Sequence, residues 1–242
     1  MSIWGKIIGA TAGFAIGGPI GALVGGMAGH MMDKRNKNNN LDSEQEKNQI
    51  SFTIAVIVLG AKMAKADGIV TSEEIKAFRE VFHVPKNEIK NVGRIFDKAK
   101  QDSNGYEIYA KQVSQIFSSK PQVLEDLLEG LFHIAKADQV IHKSELQYLK
   151  NVANIFGISK NDFERIKEGH LTHGAADPYK VLGLTRESSD RDIKNCYKKL
   201  VKDNHPDALI AQGMPEEFIR VANEKLALIN DAYDKIEKER RL

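Results

Sequence analysis

An uncharged stretch of 23 residues near the N-terminus, Ile7–Gly29, constrains the fold more than any other feature. A helix of that length rises about 35 Å, enough to cross a hydrocarbon core of about 30 Å. In water each helical glycine costs about 1 kcal/mol relative to alanine, whereas in lipid a glycine ridge lets two helices approach closely. We therefore predict a transmembrane anchor within residues 1–33 that forms a homodimer. Its glycines recur at every fourth residue: Gly5, Gly9, Gly13, Gly17, Gly21, Gly25 and Gly29.

The flanks of this span predict its orientation. Lys6 precedes the span, and three basic residues follow it: Lys34, Arg35 and Lys37. Basic flanks favour the cytoplasmic side, so we expect a single-pass protein in contact with lipid, with a short N-terminus outside and the C-terminal domains in the cytoplasm. The long apolar stretch and basic following flank argue against a cleaved signal peptide. Pro19 predicts a kink in mid-span, and residues 34–47 are predicted to form a polar linker.

Residues 48–170 are predicted to form a helical bundle. No stretch alternates convincingly between apolar and polar residues, and Pro85 and Pro121 stand where helices would begin. The expected helices cover residues 50–66, 72–83, 86–101, 106–118, 121–136, 143–156 and 160–169.

An internal repeat lies within this bundle. Residues 64–75 match residues 135–146, and each copy has an Asp in a turn followed seven residues later by a Glu that opens a helix. On this pattern residues 48–170 resemble the TerB-like (tellurite-resistance) helical domain. The resemblance implies four candidate ligands for a divalent metal: Asp67, Glu74, Asp138 and Glu145.

Two main interpretations of these acidic residues stay open, with partner recognition as a third. Four carboxylates from converging turns could bind a hard cation. They could instead be structural, because Thr71-x-x-Glu74 is a capping box and Asp67 before Gly68 is typical turn chemistry. We expect no cofactor, with a divalent cation at this site as the alternative.

The C-terminal part, residues 177–242, is predicted to be a helical hairpin that follows a small-residue linker at 171–176. A short helix runs from Asp177 to Leu184, and longer helices cover 190–204 and 216–239. One face of the second helix is apolar and predicts a core contact through Ile193, Cys196, Tyr197 and Leu200. The opposite face is basic and carries Arg191, Lys194, Lys198 and Lys202.

Four motifs follow one another in this part: Asp-Pro-Tyr-Lys-Val-Leu-Gly-Leu at 177–184, Tyr-Lys-Lys-Leu at 197–200, His-Pro-Asp at 205–207 and Ile-Asn-Asp-Ala-Tyr at 229–233. In this order they resemble the J domain, the DnaJ-type co-chaperone module. Residues 208–215, and the succession of span, TerB-like domain and J domain, further resemble the DjlA subgroup. Ala208 departs from the pattern, since J domains often carry a basic residue there.

The resemblance implies a partner and a site. His205, Pro206 and Asp207 would contact a DnaK-class chaperone and promote its ATP hydrolysis. Pro206 restrains the loop, and the Asp207 carboxylate can accept a charge-assisted hydrogen bond from an arginine. The basic stripe on the second helix would steer the J domain toward an acidic surface. The resemblance also implies the inner membrane of a Gram-negative bacterium.

Other function classes find little support in the sequence. We find no phosphate-binding glycine loop, no nucleophile elbow and no zinc-helix motif, so we expect a co-chaperone rather than an enzyme. The lone Cys196 excludes an internal disulfide, and the net charge of +2 gives no reason to expect nucleic-acid binding. The expected fold is all-α, and the expected function is a membrane-anchored J-domain co-chaperone. The alternative is a metal- or envelope-stress-sensing interaction protein centred on the TerB-like domain.

Overall fold

The computed structural model describes residues 17–25, 44–67, 76, 84, 86, 89–102, 105–136, 141–171, 176–212 and 214–241. Every regular element in these ranges is helical, which confirms the all-α prediction. The first seven helices are α1 (Gly18–Gly25), α2 (Glu44–Asp67), α3 (Ile89–Gln101), α4 (Tyr106–Ile116), α5 (Pro121–Ala135), α6 (Lys143–Phe156) and α7 (Lys160–Leu171). The J-domain region contains α8 (Pro178–Val181), α9 (Asp190–Asp203), α10 (Pro206–Ala211), a 3-10 turn (Glu216–Phe218) and α11 (Ile219–Arg240).

Helix α2 is the centre of the TerB-like bundle. Its residues 50–64 are buried on every side, which is the expected state of a helix that is apolar all round. Lys62 is the one charged residue in this run, and its Nζ donates to the carbonyl and carboxylate oxygens of Asp102 at 3.0 and 2.9 Å. The hydroxyl of Tyr148 on α6 donates to the Leu59 carbonyl at 2.8 Å. These contacts tie α2 to the helices around it.

The J domain has a core of its own. Tyr179 and Leu182 from the first short helix region, Ile193 from α9 and Ile229 and Ile236 from α11 are all buried together. Arg240 near the end of α11 stabilises this arrangement, since its Nε donates to the Tyr179 hydroxyl at 2.8 Å and its guanidinium lies 5.1 Å from the Tyr179 ring centroid. The hairpin of α9 and α11 is therefore as predicted.

The J domain is also docked on the TerB-like bundle. Phe218, which precedes α11, is buried in the core of the bundle and meets Phe52 of α2 edge to face, with ring centroids 5.0 Å apart. Gly130 on α5 makes room for this ring, because a Cβ there would lie 2.8 Å from two Phe218 ring atoms. Val221 and Ala222 of α11 extend the same apolar contact.

The N-terminal segment differs from the expected helix kinked at Pro19. In the described part the helix begins at Gly18 instead. Gly17 and Gly18 have left-handed φ angles of 62° and 57°, and Pro19 lies in the first turn, where its missing N–H is not needed. Ile20 of this helix is buried, and its N–H donates to the Gln112 side chain of α4 at 2.8 Å. Among the helices that the structure describes, none is both long enough and apolar enough to cross a membrane.

Two further differences concern helix positions. Helix α2 begins at Glu44 rather than at residue 50, so it takes in the last four residues of the segment expected to be linker. Helix α10, which begins within the tripeptide, was not expected; Pro206 occupies its first position and Leu209 anchors it in the core. The predicted helix over 72–83 lies outside the described residues except for Lys76.

Candidate chaperone-binding site

Helix α9 presents the predicted basic stripe. Ser189 caps its start, because the Ser189 hydroxyl accepts from the Asp192 N–H at 3.2 Å. Ile193 on the inner face is buried in the J-domain core. The four basic residues on the outer face are all exposed: Arg191, Lys194, Lys198 and Lys202. The structure thus leaves the whole stripe accessible to a partner, and its binding role stays a prediction.

The inner face of α9 holds residues that the sequence placed in the core. The Tyr197 ring stacks on Tyr233 of α11 with centroids 3.9 Å apart, and its hydroxyl donates to Asn230 at 3.1 Å. Cys196 is half-buried, and its thiol donates to the Leu182 carbonyl at 3.1 Å. Burial raises the pKa of this thiol, so it stays protonated at neutral pH. These side chains fix the rotation of α9 and hence the direction of the stripe.

The His-Pro-Asp tripeptide forms the start of α10. His205 has extended backbone angles (φ −68°, ψ 131°), as expected for a residue before proline, and Pro206 begins the helix. The Asp207 N–H donates to Nδ1 of His205 at 3.3 Å, which places the proton of a neutral ring on Nε2. The His205 and Asp207 side chains are 53% and 88% exposed. The imidazole and the carboxylate are thus both available to a partner.

The two site features share one surface. A shallow depression at the end of α9 is lined by Lys198 and Lys202 of the stripe together with His205 and Asp207. The aliphatic side chain of Val201 lies among these polar groups. A partner that binds the tripeptide would therefore meet the nearer half of the basic stripe at the same time.

A buried charged cluster joins the J domain to the TerB-like domain, and the sequence analysis missed it. The Lys225 ammonium of α11 lies 3.1 Å from an Asp126 oxygen and 3.4 Å from a Glu129 oxygen, both on α5. The other Glu129 oxygen lies 2.5 Å from Nε2 of His170. The sequence gives one indication of this cluster: Lys225 falls on the same helix face as Ala222, within an otherwise apolar pattern.

Burial sets the ionisation of these carboxyl groups. Desolvation raises the pKa of Asp126 to about 6, although Lys225 opposes the shift. Desolvation also acts on Glu129, but Lys225, His170 and Arg165 together outweigh it and hold its pKa at about 2. The carboxylates in turn raise the pKa of Lys225 against its own burial. At neutral pH the interface therefore carries a buried cation between two ionised carboxylates.

Of the four predicted metal ligands, the structure describes the side chain of one, Glu145. Glu145 is buried, and its Oε2 accepts from the His142 N–H at 2.8 Å at the start of α6, which is the capping arrangement. The side chain of Asp67, and Glu74 and Asp138 altogether, lie outside the described residues. No group of three or more potential metal-ligating side chains occurs in the part of the chain that the structure describes. A metal site stays a prediction.

The glycine ridge is likewise covered only in part. Gly17, Gly21 and Gly25 are described, and Gly21 is buried. The other four glycines, at 5, 9, 13 and 29, lie outside the described residues. Their role in dimerisation stays a prediction.

Comparison with known proteins identifies each part of the chain. Residues 1–47 match the co-chaperone DjlA transmembrane domain, residues 53–168 match tellurite resistance protein TerB, and residues 177–241 match the DnaJ domain. The co-chaperone protein DjlA of Photobacterium profundum is 32% identical over 98% of this chain and 99% of its own length. The chain belongs to the DjlA co-chaperone family. The DjlA protein of Vibrio cholerae is 31% identical over 99% of both chains, and that of Coxiella burnetii is 30% identical over 80% of this chain and 79% of its own.

Membership of the DjlA family confirms the main predictions. The TerB-like domain and the J domain occur in the expected order, and the N-terminal match identifies a membrane anchor of the DjlA type. The chain is therefore a membrane-anchored co-chaperone with a J domain. No solved structure is significantly similar to this chain.

Proposed function

We propose that the chain binds a DnaK-class chaperone through the tripeptide and the basic stripe, and that this contact stimulates ATP hydrolysis by the chaperone. The observation that carries the proposal is the shared surface at the end of α9. His205 and Asp207 are exposed there beside Lys198 and Lys202, and the docking of the J domain on the TerB-like bundle leaves this surface open. The lysines attract an acidic partner, and Asp207 accepts a hydrogen bond from it.

The proposal also covers the membrane anchor. The basic residues that follow the span favour an orientation with both C-terminal domains in the cytoplasm, where ATP is available to the chaperone. The glycine ridge lets two anchors pack closely and form a homodimer in the lipid. A dimer presents two J domains together, which raises their local concentration at the membrane without adding contacts.

Single-turnover ATP hydrolysis by a DnaK-class chaperone tests the proposal. The full-length chain is reconstituted in liposomes and compared with the variant His205→Gln, with circular dichroism as the check on folding. We expect stimulation by the wild-type chain and its loss in the variant. A folded wild-type chain that leaves the hydrolysis rate unchanged would refute the proposal.

A charge-reversal pair tests the basic stripe separately. Lys198→Glu with Lys202→Glu is compared with Lys150→Glu with Lys160→Glu, which makes the same change of net charge on exposed residues of the TerB-like domain. We expect the first pair alone to raise the concentration needed for half-maximal stimulation, and higher salt to reduce the difference because it screens exposed charges. Equal effects from both pairs would show that only net charge matters.

A further inference from the structure

The segment that follows the tripeptide is anchored in the TerB-like domain. Leu209 of α10 and Met214 are fully buried, and both belong to the hydrophobic core that α2 and α5 build. The separate core of the J domain is built around Ile193 and Ile229. The bundle therefore holds the apolar side of α10, while His205 and Asp207 at its start are exposed to solvent.

Polar contacts reinforce this attachment. Four side chains of the TerB-like domain donate hydrogen bonds to residues 204–214, and we call these four side chains the clamp. The bonds run from Gln122 to the Asn204 side chain at 3.2 Å, from Lys120 to the Gln212 carbonyl at 3.2 Å, from Gln45 to the Ile210 carbonyl at 3.0 Å and from Gln49 to the Met214 carbonyl at 3.5 Å.

Asn204 connects the clamp directly to the tripeptide. It is 1% exposed and immediately precedes His205. Its side-chain amide donates to the Leu200 carbonyl at 2.7 Å, which closes the end of α9, and its carbonyl oxygen accepts from Gln122 of α5. Gln122 thereby holds the end of the basic helix, and Lys120 holds the far end of α10. The tripeptide lies between the two attachment points.

We infer that the TerB-like domain positions the His-Pro-Asp tripeptide for the chaperone through the clamp. This inference rests on the proposed function. If the clamp is loosened, residues 204–214 populate several orientations and only a fraction of the molecules present the tripeptide correctly. The apparent affinity for the chaperone then falls by that fraction, while the rate at saturation is unchanged. The clamp residues are positioning residues, because they act on the chaperone contact through Asn204 and α10.

A double variant in the full-length chain tests the inference. Lys120→Met with Gln122→Leu removes the two contacts made at the start of α5 while keeping side-chain size. The matched control is Gln147→Leu with Lys150→Met on α6, where Gln147 donates to Asn151 at 2.9 Å, so this variant loses a side-chain hydrogen bond that does not involve residues 204–214. Three quantities are measured: the chaperone ATPase as a function of co-chaperone concentration, hydrogen–deuterium exchange of residues 204–214 without the chaperone, and thermal unfolding. Thermal unfolding is included because Gln122 also donates to Asp126.

We expect the double variant to raise the concentration for half-maximal stimulation about 5-fold or more, as two hydrogen bonds of typical net strength allow, with the maximal rate unchanged. Exchange in residues 204–214 should become faster, and the control variant should match the wild type in all three measurements. An unchanged half-maximal concentration would overturn the inference. A maximal rate of ATP hydrolysis that falls together with the thermal stability of the variant would also overturn it, because that result indicates a purely structural role. If the wild-type chain gives no stimulation, the proposed function fails, and the exchange measurement still decides whether the clamp holds the segment.

Discussion

Asp126→Asn is expected to stabilise the chain at neutral pH, although it removes a charge that faces Lys225. Asp126 is 2% exposed, and one of its carboxylate oxygens has no hydrogen-bond partner. A buried carboxylate in this state carries a desolvation penalty that one neighbouring ammonium does not fully offset. Asparagine has the same shape without the charge, and Glu129 stays beside Lys225 at 3.4 Å.

The magnitude follows from the pKa of Asp126. Folding raises this pKa from 3.8 to about 6, and each unit corresponds to about 1.4 kcal/mol. Because the folded value is the higher one, the penalty is absent well below pH 3.8, grows as the pH rises to 6, and reaches about 3 kcal/mol at pH 7. The neutral isostere avoids this penalty, so we expect the variant to gain up to about 3 kcal/mol at pH 7 and only a small fraction of that at pH 4.

Urea unfolding of the full-length chain in detergent, followed by circular dichroism at pH 7 and pH 4, measures both values. The matched control is Asp97→Asn, which alters an exposed carboxylate on α3 and should change stability by less than about 0.5 kcal/mol. A loss of stability at pH 7 in Asp126→Asn would refute the reasoning, since it would mean that the ion pair outweighs the desolvation of the carboxylate. An equal gain at both pH values would refute the assigned cause.

Two further substitutions probe the same interface. Lys225→Met leaves Asp126 and Glu129 buried without their cation, so we expect a loss of about 3–5 kcal/mol in the free energy of unfolding by urea at pH 7, reduced at pH 5, where Asp126 is protonated. Gly130→Ala forces the Phe218 ring to move, because the new Cβ would lie 2.8 Å from it. This should cost about 1–3 kcal/mol by the same measurement, and an unchanged stability would show that the ring can shift freely.

The candidate site could be predicted from sequence because its parts are close together in the chain. The basic stripe depends only on the helical period of residues 190–203, and the tripeptide is contiguous. Pro206 restricts His205 through its own ring, whatever lies around it. The family motifs then supplied the partner and the order of the domains. None of these inferences needed a long-range contact.

Helix α10 (Pro206–Ala211) could not be predicted from the local sequence alone. The start of this helix can be predicted from Pro206, because proline favours the first position of a helix. Its stability depends on Leu209, which is buried in the core of the TerB-like bundle, and the bundle is distant from it in sequence. The start of α1 at Gly18 does not follow from local sequence either, because two glycines before Pro19 permit either a kinked helix or a left-handed break.

The sequence by itself determined the helical class, the three parts of the chain and the residues of the candidate chaperone-binding surface, because periodicity, capping and short motifs act over a few residues. Only the tertiary structure decided how the J domain is attached. Lys225 meets Asp126 across 99 residues, and Gln122 meets Asn204 across 82. A buried lysine and a glutamine at a helix start look like surface residues until folding places a second domain against them and removes the water that would otherwise solvate their polar groups.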